Sequence, residues 1–71
     1  MTLLNLLKVL ETTYKVVIMN DDSGLYERFK SSADAYVWLA EHKEYMFTNV
    51  ASVIPLLLQD GKLVTVITIE W

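Results

Sequence analysis

The dipeptide Asp60-Gly61, held in the turn Gln59-Asp60-Gly61-Lys62 between the apolar runs 49–58 and 63–71, constrains this chain more than any other feature. Asp-Gly between two such runs is a strong hairpin signal, because a two-residue type I′ turn needs positive φ at both central positions and Asp and Gly tolerate it. On that register Leu58 faces Leu63, Leu56 faces Thr65, Ile54 faces Ile67, Ser52 faces Ile69 and Val50 faces Trp71. Nearly all the large side chains then share one face, the expected core face. The opposite face carries Leu57, Val64, Pro55, Val66, Val53 and Ala51, and turns polar only at Thr68 and Glu70. A hairpin apolar on both faces needs two covers, and a chain of 71 residues has little left to supply the second. Self-association as a homodimer is therefore expected, with Leu57, Val64 and Val66 in the interface.

The size of the chain points the same way. A single domain spanning residues 1–71 buries only ~60% of the surface exposed by its unfolded chain, so its stability is marginal unless something supplements the core. Cysteine is absent, so disulfides cannot do this, and such a chain fits a reducing cytoplasm. Hydrophobic residues make up 54% of the sequence, more than one small core readily hides. Six Lys and Arg against nine Asp and Glu leave a net charge of -3, which repels phosphate backbones and makes nucleic acid an unlikely partner. The greasy opening Met1 to Lys8 lacks both a basic leader and a small-residue cleavage site, and is expected to be part of the folded domain. The longest apolar stretch, Val53 to Leu58, falls far short of the ~20 residues needed to cross a bilayer, so no membrane partner is expected.

Periodicity gives the element order α, β, β, α, β, β, and with it an α+β class in which two helices pack on a mostly antiparallel sheet. Thr2 can cap a first helix whose Leu3, Leu6, Leu7 and Leu10 form a stripe widened by Leu4 and Val9. A first strand, Tyr14 to Met19, ends in the turn formers Asn20-Asp21-Asp22-Ser23-Gly24. The second strand, Leu25 to Lys30, carries charges suited to an edge. Ser31 can cap a second helix reaching to about His42 or Glu44, with Ala33, Tyr36, Val37 and Ala40 as its apolar stripe and Trp38, Leu39 and His42 off it. Pro55 denies its strand one ladder donor, which suits an edge or a bulge.

No catalytic, metal or cofactor motif is legible. His42, the only histidine, has Glu41 and Glu44 beside it but no Cys and no second His at ligand spacing. Ser23, Ser31, Ser32 and Ser52 have turn, cap or strand explanations, and none lies in a Gly-x-Ser-x-Gly elbow. Asp21-Asp22-Ser23-Gly24 resembles the start of a calcium loop, yet Ser32 stands at the twelfth position, where a bidentate Glu is needed. With only Gly24 and Gly61 there is no Gly-rich phosphate cradle. The carboxylates Asp21, Asp22, Glu27, Asp34, Glu41 and Glu44 of the middle third could mimic a nucleic acid in a partner's basic groove, but at this low density a solvated face is expected. An enzyme is the least expected class, and no cofactor is expected.

What remains is interaction. Trp38, Tyr36, Tyr45 and Phe47 are the aromatic set from which interface anchors would come; Tyr36 is expected in the core, Trp38 either packs within the chain or meets a subunit or partner, and Trp38 and Leu39 with Leu57, Val64 and Val66 form the expected interface set. Three segments, Leu3 to Leu10, Tyr14 to Ile18 with Asp21 to Glu27, and Asp60 to Val64, resemble a loose group of short proteins of unassigned function encoded by phages and prophages of Gram-positive bacteria. The resemblance departs in helix two and in Tyr45 to Pro55. It implies a bacterial cytoplasm and an accessory, protein-binding or regulatory role, and it carries no site residues. A small nucleic-acid-associated or transcription-linked factor is the alternative, if dimerisation gathers Lys8, Lys15, Arg28 and Lys30 on one surface.

Overall fold

Both helices start where their caps place them. In the computed structural model, which describes Met1–Trp71, α1 runs Leu3–Val9 and the Thr2 hydroxyl accepts a hydrogen bond from the Asn5 N–H at 3.2 Å. The second helix, α2, runs Ser32–Glu41, with the Ser31 hydroxyl accepting from the Asp34 N–H at 3.4 Å, and a single 3-10 turn follows at Lys43–Tyr45. Each hydroxyl satisfies one of the amides that the first helical turn leaves without a partner.

The strands are β1 (Lys15–Asn20), β2 (Leu25–Phe29), β3 (Val50–Leu57) and β4 (Leu63–Ile69), in the spatial order β2-β1-β4-β3. Two antiparallel hairpins meet along a parallel β1–β4 seam, giving the α+β, mostly antiparallel sheet expected from the element order. The continuous run Val16-Val17-Ile18 belongs to a central strand and all three residues are buried, Val16 and Ile18 beneath the helices and Val17 beneath the side chains of neighbouring strands on the opposite face. Charged β2 and Pro-bearing β3 take the edges. The helices lie on one face of the sheet, where Leu3, Leu6, Leu7, Ala35 and Leu39 close over Val16, Ile18, Ile67 and Ile69. No helix is long and apolar enough to cross a membrane.

The hairpin register differs from the expected one by a single residue. Leu57 pairs with Leu63, Leu56 with Val64, Ile54 with Val66 and Val53 with Ile67. The Gly61 N–H donates to the Leu58 carbonyl at 3.0 Å, the Leu58 N–H donates to the Lys62 carbonyl at 2.8 Å, and Gly61 alone in the turn has positive φ, +82°. This is a three-residue loop, a type I turn closed by a glycine in the left-handed region, and not a two-residue type I′ turn. Because side chains alternate with period two, the slip moves every β3 side chain to the other face relative to β4. Val53, Pro55 and Leu57 therefore share the helix side with Ile67, while Ile54 and Leu56 share the opposite side with Val64 and Val66. An irregularity between Val50 and Ser52 returns Val50 to the core.

The apolar stripe of α2 is also relocated. Ala33, Tyr36, Val37 and Ala40 are exposed, whereas Ser32, Ala35 and Leu39 are buried and Trp38 and His42 are half-buried. Ala35 and Leu39 join the core cluster, while Ser32 packs against the segment between α1 and β1. The Ser32 hydroxyl also accepts from the Thr12 N–H at 2.9 Å and donates to the Thr12 carbonyl at 3.3 Å, so a polar residue sits satisfied inside. In α1, Leu3, Leu6 and Leu7 are buried as expected, but Val9 is exposed.

Candidate interaction surface

The face of the sheet opposite the helices is uncovered. Register places Tyr26 and Arg28 of β2, Lys15, Val17 and Met19 of β1, Val64, Val66 and Thr68 of β4, and Ser52, Ile54 and Leu56 of β3 on that face. Val17 and Val64 are nonetheless buried, at 5% and 8% exposure, because Lys15, Tyr26, Arg28, Leu56, Leu58 and Val66 rim a shallow groove above them. Towards β3 the cover fails: Ile54, Leu56 and Leu58 are each at least 40% exposed without a polar neighbour between them along the strand. An apolar patch of this continuity on a small domain makes this face the candidate interaction surface.

The same hairpin is bare on its helix side as well. α1 spans only seven residues, about 10 Å of rise, against eight residues and about 26 Å for β3, so the far half of β3 projects past it. Leu57 at 72% exposure and Leu63 beside it lie on that projecting part, Val53 is exposed nearer the start of the strand, and the molecule measures 34 Å along its longest axis against 18 Å along its shortest.

The outer edge of β3 is guarded. From the Leu58–Lys62 bond, alternation turns the amides of Ser52, Ile54 and Leu56 towards β4 and those of Val53 and Leu57 outward, and Pro55 sits between them where an outward donor would be. At the other end of the strand the Val50 N–H donates to the Met1 carbonyl at 2.8 Å, and Thr2 bridges Asn49. The edge thus offers an added strand few donors.

Charge divides the open face lengthwise. Lys15, Lys30 and Lys62 line one concavity with Tyr14, and Arg28 stands beside Lys15 in the next, so four of the six Lys and Arg residues gather at the end where β1 begins. Asp60, in the β3–β4 turn, lies at the same end, and its Oδ1 accepts from the Lys62 N–H at 3.0 Å. At the opposite end are Asp21 and Asp22, in the β1–β2 turn, and Glu70, just past β4.

The five residues expected at an interface are therefore not one surface. Val64 and Val66 belong to the open face, and Leu57 lies on the projecting hairpin's other side. Leu39 is fully buried in the core, so the expectation of an interface role for it is corrected: it occupies the stripe that Ala35 begins, on the sheet side of α2. Trp38 packs within the chain, its ring 5.5 Å from Phe29, 4.6 Å from His42 and 5.3 Å from Tyr45, and Tyr45 in turn lies 4.6 Å from Trp71. Sequence reasoning missed Val17, Tyr26, Ile54, Leu56 and Leu58 as members of the face. The signal was Gly61, whose positive φ suits a three-residue loop as well as a two-residue one.

His42 and Asn20 make contacts that hold local structure. His42 stacks on Trp38, and its Nδ1 lies 2.9 Å from the Trp38 carbonyl, closing the end of α2. Asn20 fixes the Asp21–Gly24 turn, its Oδ1 accepting from the Ser23 N–H at 2.8 Å and its Nδ2 donating to the Ile69 carbonyl at 2.6 Å. No three His, Cys, Asp or Glu side chains stand where they could hold a metal ion together. Compared with known proteins, the chain matches no family model, no curated protein and no solved structure.

Proposed function

We propose that this protein is a non-catalytic, protein-binding accessory domain that acts as a homodimer through the open face of its sheet. The observation that carries the proposal is the apolar strip Ile54-Leu56-Leu58 lying beside Val64 and Val66 with no element of the chain over it. Removing such side chains from water supplies about 25 cal/mol per Å² of apolar surface, the driving term of most protein association. Dimerisation would leave the exposed helix-side residues Val53, Leu57 and Leu63 free for a further protein, consistent with a role by occlusion. The accessory role of phage or prophage type is supported by the sequence resemblance, and a cytoplasmic setting by the absence of cysteine.

Light scattering behind size exclusion, over a range of concentrations, tests the assembly. The expected mass approaches twice 8.2 kDa as concentration rises, and Leu56→Glu, an exposed position, is expected to return it to the single-chain value with an unchanged far-ultraviolet spectrum. A single-chain mass at every concentration would overturn the homodimer.

One observation favours the alternative of a nucleic-acid-associated factor: the convergence of Lys15, Arg28, Lys30 and Lys62 at one end of the sheet. Four phosphate contacts would give binding that falls steeply with salt, and titration with a labelled duplex at low and physiological ionic strength decides it.

A further inference from the structure

The two ends of the open face carry opposite charge, and a two-fold axis can treat them in only two ways. An axis along the strands sets the basic end of one copy over the basic end of the other, with β1 and β2 crossing onto β4 and β3, and the acidic end over the acidic end. An axis in the sheet plane but across the strands reverses strand direction between the copies and sets each basic end over its partner's acidic end. We infer that the homodimer adopts the second arrangement, with Lys15, Lys30 and Lys62 of one copy, and Arg28 one row further in, opposite Asp21, Asp22 and Glu70 of the other, Ile54 and Val66 nearest the axis, and Leu56 and Val64, level with Lys15, over the far end of the partner's β3 and β4.

The inference rests on the homodimer proposed above and fixes its geometry. Six residues separate Lys15 from Asp21 along β1, about 20 Å at strand rise, twice the ~10 Å screening length at 0.1 M salt, so the two ends act as separate charge sites. Lys15 and Lys30 continue the β1–β2 register as direct cross-strand neighbours, an unfavourable pairing of like charges within one chain that a carboxylate from outside relieves. Asp60 is too few against four cations to neutralise this end. A second copy is the occupant that the face itself specifies, because the complement of each end is present at the other. Four strands at ~4.8 Å spacing and about 20 Å of length make a small face, below the ~800 Å² per partner of a standard interface when taken as flat. The dimer is therefore concentration-dependent, and its charge pattern is felt in the measured affinity.

Sedimentation equilibrium of the whole chain and of exposed-residue variants tests the geometry. Wild-type dimer is expected to weaken as salt rises. Lys15→Glu with Lys30→Glu is expected to weaken it about tenfold or more at low salt, as is Asp21→Lys with Asp22→Lys, because each pair of changes makes both ends of the dimer repel. Combining all four changes is expected to restore the wild-type affinity. A dimer that tightens with salt, or that ignores every reversal, would overturn the antiparallel arrangement while leaving the homodimer standing. A single-chain mass at all concentrations would overturn both, and circular dichroism of each variant separates loss of association from loss of fold.

Discussion

Asn20 gives the sharpest test of how the two hairpins are tied together. Its side chain is buried, receives the Ser23 N–H at 2.8 Å and gives its Nδ2–H to the Ile69 carbonyl at 2.6 Å, 49 residues away in sequence. Asn20→Ala removes both bonds, each worth about 1 kcal/mol net, and leaves a buried carbonyl short of a partner, so a loss of about 2–3 kcal/mol is expected. A 71-residue domain holds about 4–10 kcal/mol in all, and the melting temperature should fall by about 10–20 °C. Asn20→Asp keeps the shape but replaces the donor by an oxygen facing the carbonyl. Burial and that carbonyl both disfavour the ionised form, so the folded-state pKa of the introduced carboxyl is raised above its unfolded value of about 3.9. The protonated acid can still donate, hence the variant's stability is fully present below that unfolded value and is lost as pH rises through the raised folded one. Urea unfolding of wild type and both variants at pH 4 and pH 7, at one protein concentration, measures this. Asn20→Asp should lie close to wild type at pH 4 and well below it at pH 7. An equal gap at both pH values, or Asn20→Ala within 0.5 kcal/mol of wild type, would refute the tie.

Two further expectations follow from the geometry. Gly61→Ala should cost about 1–2 kcal/mol through its φ of +82° alone, since a Cβ there meets nothing within 4 Å, whereas Asp60→Ala should lose only its exposed turn bond, about 0.5–1 kcal/mol; equal costs in urea unfolding would point back to a two-residue turn. Trp38→Ala should destabilise the fold by about 3 kcal/mol, because it removes the ring shared by Phe29, His42 and Tyr45, and should leave the mass of the folded species unchanged by light scattering.

Much of this fold is determined locally and can be read from the residues alone. The Thr2 and Ser31 caps, the leucine stripe of α1, the Asn20–Gly24 turn, the edge positions of β2 and β3 and the order α-β-β-α-β-β each depend on a few adjacent side chains acting on their own backbone. The excess of apolar residues, and with it the motive for association, is likewise a property of composition. Tertiary structure decided which faces those residues occupy. Asp-Gly is compatible with loops of two or three residues, and the choice of three, which turned Ile54 and Leu56 away from the helices, pairs β3 with a β4 whose Ile67 and Ile69 are already committed to the core beside Val16 and Ile18. In α2 the alternatives were an apolar stripe of larger side chains and one of Ser32, Ala35 and Leu39. The second prevailed because Ala35 and Leu39 join the core cluster and the Ser32 hydroxyl finds Thr12, a partner 20 residues away. Local signals fix an element and its ends at the scale of one hydrogen bond, whereas register and orientation depend on which distant surfaces compete for the same buried space.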